Sequence, residues 1–212
     1  MLIDLHAHTA PRSSCSRATL EDLVTSARAR GVDALCLTEH DVLWSAEDLA
    51  EASRSVGMPL FAGVELSTDV GHVLAYGQLE RALWAKYRFE QLVDEAERGL
   101  LALVLPHPVR REAGERAARA GRTPATPEAV ADRFSWQHVH AVEAGSTQTT
   151  GDEQALTAAA LSLAPRPAVA GSDAHGPGRA GAWATSFEVA VHTVEDLVTE
   201  LRAGRVMPHR PG

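Results

Sequence analysis

The sequence is poor in cysteine and has no long apolar run, and these two absences exclude several classes of protein. Cys15 and Cys36 are the only cysteines among 212 residues, too few for a disulfide framework. Cys36, inside the apolar run DALCLT, is interpreted as a small buried residue. No stretch approaches the roughly 18 apolar residues of a membrane span, and the start, MLIDLHAHT, lacks the pattern of a secretion signal. We expect a cytoplasmic protein with no membrane partner.

Positive charge is also scarce in this chain. Twenty lysines and arginines stand against 28 aspartates and glutamates, which gives a formal net charge of -8. This balance argues against nucleic acid as a partner and favours a small substrate, although bound divalent cations can reverse the sign of the charge locally. The composition, 45% hydrophobic and 23% charged, is that of a globular protein. A chain of this length fits a single α/β barrel, so we predict one domain over residues 1–212.

Short apolar runs with strand character alternate with stretches of helical periodicity along the chain. The strand-like runs are LIDLH, DALCLT, PLFAGVEL, HVLAYG, LALVLPH, HAVEAG and PAVAGSDAH. The helical stretches are LEDLVTSARARG, AEDLAEASRSVG, DEQALTAAALSLA and residues near 81–98, 127–133 and 194–203. This alternation predicts an α/β fold with parallel strands and covering helices. The irregular, arginine-rich region 109–127 is interpreted as an insertion.

Histidines and carboxylates stand at the ends of several predicted strands. His6 and His8 in DLHAH are two residues apart, a spacing that lets both hold one ion. The same placement recurs after four further strands, in Glu39-His40-Asp41, Glu65, His107, and Asp173 with His175. Because the carboxyl ends of barrel strands converge on one mouth, we expect these side chains to be neighbours. Imidazole and carboxylate together suit zinc, manganese or iron, and Glu65 could bridge two ions.

The alternative interpretation of any single histidine is structural. A lone histidine on a strand is more often a hydrogen-bonded core or rim residue than a metal ligand. We keep that interpretation for the four histidines that lack strand-end placement, which are His138, His140, His192 and His209. The five strand-end histidines would require five independent coincidences at one end of the fold, so we interpret them as ligands.

These residues stand in motifs that resemble the PHP (polymerase and histidinol phosphatase) superfamily over nearly the whole chain. The matching segments are DLHAHT, LTEHD, GVEL, GHVLAYG, LPHP, VEAGS and GSDAH, in the family's order. The ending AWATSFEVAVHTVEDLVTELRAGR is similar to the C-terminal segment of small stand-alone members. The resemblance implies a distorted (β/α)7 barrel with its metal site at the C-terminal ends of the strands, two or three divalent ions (Mn, Zn or Fe), and phosphoesterase activity.

The resemblance also implies a ligand set. The first metal would be held by His6, His8, Glu65 and Asp173. Glu65 would bridge to the second metal, which His72 and His107 complete. His40 and His175 would serve the third metal, whose further ligand in the family is a histidine or aspartate soon after the H-x-H pair. Here that stretch reads PRSSCS, which leaves Cys15 or Ser14 as the substitute. Glu39 replaces the family's usual aspartate and would still accept a hydrogen bond beside a ligand.

Two metals about 3.5–4 Å apart can share a water and attack a phosphoester with the bridging hydroxide. We place Asp173, His40 and His175 in the catalytic group, with charge at the leaving oxygen neutralised by the third metal or by a protonated His40 or His175. Arg110 is the preferred phosphate contact, because HPVR resembles the HP-x-R pattern of many small PHP proteins. The other arginines of 109–127 are interpreted as a solvated helix face, and its glycines would allow it to move as a lid.

The expected substrate is a small phosphorylated compound, such as a phosphomonoester, a sugar phosphate or a nucleotide, with the end of a short oligonucleotide left open. Two alternatives remain at this point. An amidohydrolase-type metal hydrolase also begins with H-x-H, but it often uses a lysine ligand at a strand end, and Lys86 lies in a predicted helix. A non-catalytic PHP module that binds metal and phosphate is kept open by the altered third-metal position, but the presence of every first- and second-metal ligand favours catalysis.

Overall fold

The computed structural model describes residues 1–79, 88–99 and 101–211, which form nine strands and eight helices. The strands are β1 (Leu2–Ala7), β2 (Ala34–Leu37), β3 (Leu60–Thr68), β4 (Gly71–Gly77), β5 (Leu101–Leu105), β6 (Ala141–Gly145), β7 (Ala168–Ala170), β8 (Ala184–Phe187) and β9 (Val206–His209). The helices are α1 (Leu20–Ala29), α2 (Ala46–Val56), α3 (Phe89–Glu97), α4 (Gly114–Arg119), α5 (Pro127–Ala131), α6 (Phe134–His138), α7 (Gly151–Leu163) and α8 (Val194–Ala203). The predicted alternation of strands and helices is confirmed.

Local signals in the sequence fix the ends of several helices. Helices α1, α7 and α8 each begin with a threonine whose hydroxyl accepts from the third helical residue, while that residue's carboxylate accepts from the threonine backbone. Gly57 ends α2 in the left-handed conformation, with φ of 64°, as a glycine between a helix and a strand is expected to do.

The nine strands form one sheet in the order β7-β6-β5-β4-β3-β2-β1-β8-β9. Four neighbouring pairs are parallel and four are antiparallel, so the expectation of a parallel sheet is corrected to a mixed one. The turn between β3 and β4 has only two residues, Asp69 and Val70, and cannot contain the crossover that parallel strands require. The predicted α/β fold with a barrel-like sheet is confirmed, and the sheet has nine strands with four antiparallel pairs, so the (β/α)7 repeat itself is not confirmed.

The segment after β7 meets β1 and nearly closes the sheet into a barrel. The backbone N–H of Asp173 donates to the carbonyl of His6 at 2.7 Å, and that of His8 donates to the carbonyl of Ala174 at 3.1 Å. Gly171 makes this approach possible, because a Cβ there would lie 2.7 Å from the His6 backbone nitrogen. The two ends of the sequence motif set, DLHAHT and GSDAH, therefore become adjacent.

Buried Asp4, on β1, binds the segment after β7 through hydrogen bonds. Its Oδ1 accepts from the backbone N–H of Ser172 at 2.7 Å, and its Oδ2 accepts from Gly181 at 2.8 Å. The barrel interior is filled by aliphatic and aromatic side chains, among them Tyr76, whose hydroxyl donates to the carbonyl of Leu5 at 2.6 Å. Cys36 is fully buried in this core, as predicted.

Four differences from the sequence-based expectations are found, and the first is that helix α6 was not predicted. The predicted helix 81–98 is described as α3 from Phe89, while residues 81–87 lie outside the described part of the chain. The arginine-rich region 109–127 contains the short helix α4 rather than only irregular chain. Strand β9 was not predicted, because four residues that include Pro208 carry little strand signal. No helix in the described residues is long and apolar enough to cross a membrane.

Candidate metal centre

The barrel gathers the predicted ligands at one mouth. His6 and His8 lie at the end of β1, His40 follows β2, Glu65 lies in the second half of β3, His107 follows β5, and Asp173 and His175 follow β7. His72 lies at the beginning of β4 and still joins them, since β4 runs antiparallel to β3 and starts at the end where β3 finishes. Each predicted ligand except Cys15 therefore lies in the same cluster.

Glu65 is the centre of this cluster and is 1% exposed. Its Oε1 lies 2.8 Å from His72 Nδ1 and 3.0 Å from His107 Nε2. Its Oε2 faces three further ring nitrogens, those of His8 at 3.1 Å, His6 at 3.2 Å and His40 at 3.3 Å. One carboxylate thus faces five imidazoles, an arrangement suited to bridging two cations.

Asp173 provides a second buried carboxylate whose oxygens have no hydrogen-bond partner. Its Oδ1 lies 3.3 Å from His175 Nδ1, 3.4 Å from His8 Nε2 and 3.5 Å from His6 Nε2, distances longer than those of good hydrogen bonds. A buried carboxylate without hydrogen bonds is costly unless a cation neutralises it. The orphaned oxygens of Asp173 therefore fit a metal ion held together with His6, His8 and Glu65.

The tautomers of His6 and His8 are set from outside the cluster. Glu143 accepts from His6 Nδ1 at 2.9 Å, and Ser13 Oγ lies 3.3 Å from His8 Nδ1 while its own hydroxyl donates to Glu39. When both rings are neutral and carry their protons on Nδ1, their Nε2 lone pairs face one another at 3.1 Å. Converging lone pairs repel unless a cation lies between them, so the donor set fits a metal.

Three groups of side chains have donor atoms close enough to share an ion. The first, with His6, His8, Glu65 and Asp173, has the composition that the resemblance implied. The second joins Glu65 and His72 with His40, whereas the resemblance implied His107, which lies beside the same Glu65 oxygen. The third joins His40 and His175 with His8. The number and identity of bound ions remain predictions.

Cys15, the predicted substitute ligand, is not a member of these groups. It is exposed and belongs to none of the three groups found within the described residues. Partial burial raises the pKa of its thiol, and the negative charges of Glu65, Asp173 and Glu39 raise it further. The neutral thiol is therefore favoured at pH 7, and a ligand role for Cys15 stays a prediction.

The protonation of the cluster reflects competition between burial and charge. Burial opposes a positive charge on His6, but the attraction of Asp173, Glu65 and Glu143 outweighs it and raises the pKa of His6 well above its ordinary value. Burial also opposes ionised Glu65, yet the surrounding imidazoles hold the pKa of Glu65 well below its usual range. Burial lowers the pKa of His40 to about 4. The cluster thus favours one concentrated positive charge near Glu65, which a divalent cation would supply.

Two of the cluster's residues have a left-handed backbone. His107 has φ of 30° and Asp173 has φ of 50°, and the neighbouring Asp41, at 54°, shares this conformation. Such conformations cost of order 1–3 kcal/mol each for residues other than glycine, and they persist where the surroundings fix them. At Asp173, the backbone bond to His6 holds the conformation. The backbone of these ligands, just after the ends of strands β5 and β7, is therefore held in a conformation that the surrounding structure fixes.

Two supporting residues were missed by the sequence interpretation. Glu143, 2% exposed, orients His6 and also accepts from the backbone N–H of His107 at 2.9 Å, and Ser13 links His8 to Glu39. Glu143 was detectable as the only charged residue in the run HAVEAG. Glu39 accepts from Thr9 and Ser13, so it supports a ligand indirectly, through Ser13, rather than by direct contact.

Arg110 lies at the open side of the cluster. Its Nη1 is 3.7 Å from Asp173 Oδ2, and its side chain lines a cleft of about 430 Å³ together with His72 and His107. The exposed fractions of His72 and His40, 35% and 29%, contrast with complete burial of His6. A ligand can therefore reach the cluster from the side of Arg110.

The four remaining histidines lie outside the cluster. His138, His192 and His209 are exposed. His140 Nδ1 accepts from the backbone N–H of Leu103 at 3.0 Å, and its Nε2 lies 2.9 Å from Arg202 Nη1. Burial, reinforced by the positive charge of Arg202, lowers the pKa of His140 to about 4.

A cluster of histidines and carboxylates at one mouth of a nearly closed α/β barrel defines a candidate metallohydrolase. The chain belongs to the PHP domain family, whose model matches residues 4–112, and a PHP-associated model matches residues 155–206. The resemblance inferred from the motifs is thereby confirmed.

Solved structures share the fold of this chain, and a curated relative matches part of its sequence. PsfC from Pseudomonas syringae superposes with a TM-score of 0.64 at 20% identity, over 99% of this chain and 91% of that protein. A two-domain protein from Bacteroides vulgatus, described as containing a PHP-like metal-dependent phosphoesterase, gives 0.65 at 19% identity over 100% of this chain and 65% of that protein. A 5′-3′ exoribonuclease from Haemophilus influenzae is 36% identical over 66 residues, which span 31% of this chain and 23% of that enzyme.

Proposed function

We propose that this protein is a metal-dependent phosphoesterase that hydrolyses a small phosphorylated compound. The observation that carries the proposal is the pairing of a buried, cation-demanding cluster around Glu65 and Asp173 with an arginine at its open side. Family membership and the phosphoesterase description of the Bacteroides vulgatus protein support the same reaction class.

Each group of residues has a part in this reaction. Two divalent ions held around Glu65 would activate water and neutralise the phosphoryl oxygens. Arg110, whose guanidinium faces the cluster, would bind and orient the phosphoryl group from the open side. His40 and His175, 29% and 21% exposed, lie where the leaving oxygen can approach, and we assign them to its neutralisation. Glu143 would keep His6 in the ligand tautomer.

The experiment measures metal content and phosphate release together. The protein is purified without chelator, its metals are quantified, and release of phosphate is followed from phosphomonoesters, sugar phosphates and nucleotides. We expect hydrolysis that requires divalent metal and is lost in His107→Ala and Asp173→Ala, while His138→Ala, at an exposed histidine outside the cluster, retains it. Absence of bound metal in the purified protein, and after reloading, would overturn the proposal.

Two alternative functions, a nuclease and a non-catalytic binding module, are each supported by one observation and tested by the same assays. The exoribonuclease relative favours nucleic acid, which conflicts with the expectation drawn from net charge, so the panel includes 5′-phosphorylated oligonucleotides. Preferential turnover of these oligonucleotides would make the protein a nuclease. A binding module is favoured by the altered third-metal stretch PRSSCS, and tight binding of metal and phosphate without any hydrolysis would establish it. The lysine on which the amidohydrolase alternative was judged, Lys86, lies outside the described residues.

A further inference from the structure

Glu153 is a fully buried carboxylate that has no part in the proposed reaction. It is the third residue of α7, where it accepts from the backbone N–H of Thr150 at 2.8 Å and completes the capping box. Helices α1 and α8 have the same box with the shorter Asp22 and Asp196, neither of which is buried. Capping therefore requires neither the length of Glu153 nor its burial, which indicates a further role.

The other hydrogen bonds of the Glu153 carboxylate go to the arginine-rich region 109–127. Its Oε1 accepts from the backbone N–H of Arg111 at 2.7 Å, and its Oε2 accepts from Arg116 Nη1 at 3.2 Å. Arg116 also donates to the carbonyl of Gln148 at 2.7 Å. These contacts fix the region to the start of α7 and the loop before it. They argue against a mobile lid and against a wholly solvated helix face.

The bond from Arg111 to Glu153 fixes the backbone directly beside Arg110. Arg111 has φ of 62°, a left-handed conformation that persists in a residue other than glycine only where the surroundings hold it. The N–H of Arg110 donates to the carbonyl of His107 at 3.0 Å, so Arg110 lies in a turn between a candidate ligand and the anchored Arg111. Release of Arg111 would let this backbone relax and would move the Arg110 guanidinium from its place 3.7 Å from Asp173.

We propose that Glu153 is a positioning residue, which holds Arg110 beside the candidate metal centre so that its guanidinium can bind the phosphoryl group. The inference rests on the proposed function, in which Arg110 makes that contact. A carboxylate in this region repels a bound phosphate, so its charge alone weakens binding of the anion. Its effect on the position of Arg110 strengthens binding. The two effects of Glu153 therefore have opposite signs, and an experiment can tell them apart.

Replacing Glu153 by glutamine separates the two effects. The carboxamide has the same volume but only one acceptor oxygen. The N–H groups of Thr150 and Arg116 both point to Oε2, and that of Arg111 alone points to Oε1. The amide oxygen should therefore take the place of Oε2, with its NH2 facing Arg111. The substitution releases Arg111 and removes a negative charge, so charge alone predicts tighter phosphate binding and positioning predicts weaker binding.

Hydrogen exchange tests the structural step without metal or substrate. We expect the backbone N–H of Arg111 to exchange about tenfold or more faster in Glu153→Gln, while that of Leu103, which donates to His140, is unchanged. Asp196→Asn is the matched control, because it removes the same capping carboxylate from α8, where that carboxylate accepts from the N–H groups of His192 and Thr193. Unchanged exchange at Arg111 in Glu153→Gln would overturn the proposal.

Calorimetry with inorganic phosphate and the metal-loaded protein tests the effect on binding. We expect phosphate affinity to be about tenfold or more weaker in Arg110→Gln and about three- to tenfold weaker in Glu153→Gln. Because Glu153 acts through Arg110, the double variant should be no weaker than Arg110→Gln alone. Asp196→Asn should stay within about twofold. Unchanged or tighter binding in Glu153→Gln, or losses that add in the double variant, would contradict the positioning role.

Turnover of phosphomonoesters separates failure of this inference from failure of the proposed function. We expect KM in Glu153→Gln to rise by about the same factor as the dissociation constant of phosphate, with kcat within about twofold. If no ester is hydrolysed while phosphate binding weakens as expected, Glu153 keeps its positioning role and the proposed function fails. If KM in Glu153→Gln equals that of the unsubstituted protein, the inference fails and the proposed function stands. An unsubstituted protein that binds no phosphate would overturn both.

Discussion

Replacing Glu143 by glutamine separates the metal ligands from the residue that orients one of them. Glu143 accepts two hydrogen bonds, from His6 Nδ1 at 2.9 Å and from the backbone N–H of His107 at 2.9 Å. A carboxamide has the same shape but only one acceptor oxygen. The backbone N–H cannot change its polarity, so the oxygen must face His107 and the amide NH2 must face His6. His6 would then move its proton to Nε2, the atom that faces Glu65.

The size of this effect follows from the loss of one ligand lone pair. Changing a residue that orients a metal-binding histidine typically reduces metal affinity about 10- to 100-fold, or about 1.4–2.7 kcal/mol. The loss should fall on the ion bound by His6, His8, Glu65 and Asp173. The substitution conserves volume and leaves no cavity, so the apoprotein should remain folded.

The assay is competition for Zn²⁺ or Mn²⁺ against a chelator of known affinity, with the thermal midpoint of each apoprotein as a check on folding. Glu200→Gln is the matched control, because Glu200, on α8, is also a buried carboxylate but pairs with Arg205, away from the cluster. An affinity in Glu143→Gln within about twofold of the unsubstituted protein would refute the tautomer argument. An equal loss in Glu200→Gln would show that the effect is not specific.

Three further substitutions test the barrel closure, the pH dependence of stability and the role of Cys15. Gly171→Ala should cost about 1–3 kcal/mol in urea denaturation, because its Cβ meets the His6 backbone, whereas Gly176→Ala, with open space around it, should cost little; equal losses would refute the close approach. His140 takes up a proton below about pH 6.5 in the unfolded chain but only below about pH 4 in the folded protein, so acidification destabilises the folded protein. Between pH 7 and 4.5, the free energy of unfolding of His140→Asn should therefore fall by about 1–2 kcal/mol less than that of the unsubstituted protein. His138→Asn should match the unsubstituted protein. Cys15→Ser should leave metal stoichiometry unchanged, and loss of an ion would make Cys15 a ligand.

The strand-end ligands were predictable because they contrast with their surroundings. Charged and imidazole side chains at the ends of apolar runs such as ALCLT and LALVL have no role in a core, and the carboxyl ends of barrel strands converge. The direction of β4 was not predictable in this way, because a pattern of alternating residues is the same for a strand of either direction. Without the resemblance, His72 would have been placed at the wrong end of the barrel.

The supporting residues were harder to predict because their partners are distant in the sequence. Glu143 and His6 are separated by 137 positions and become neighbours only when the barrel closes. Ser13 lies in PRSSCS, where the search for a direct ligand drew attention to Ser14 and Cys15, both exposed in the structure. The buried Ser13 is the residue of that stretch whose side chain lies beside a ring nitrogen of the cluster, that of His8. Burial, which single-sequence patterns do not report inside irregular loops, decides between these three neighbours.

The third ion is the point at which family pattern and structure diverge. His8 can complete a group with His40 and His175, and its ring centroid lies 4.5 Å and 4.3 Å from theirs. The Nε2 of His8 already faces Glu65 and Asp173, and its Nδ1 faces Ser13. One nitrogen cannot bind two ions, so an ion in the first group removes His8 from the third group, and an ion bound by His40 in the second group leaves the third with His175 alone. We therefore expect two ions to be held tightly and any third ion to depend on the substrate's own phosphate oxygens to complete its coordination.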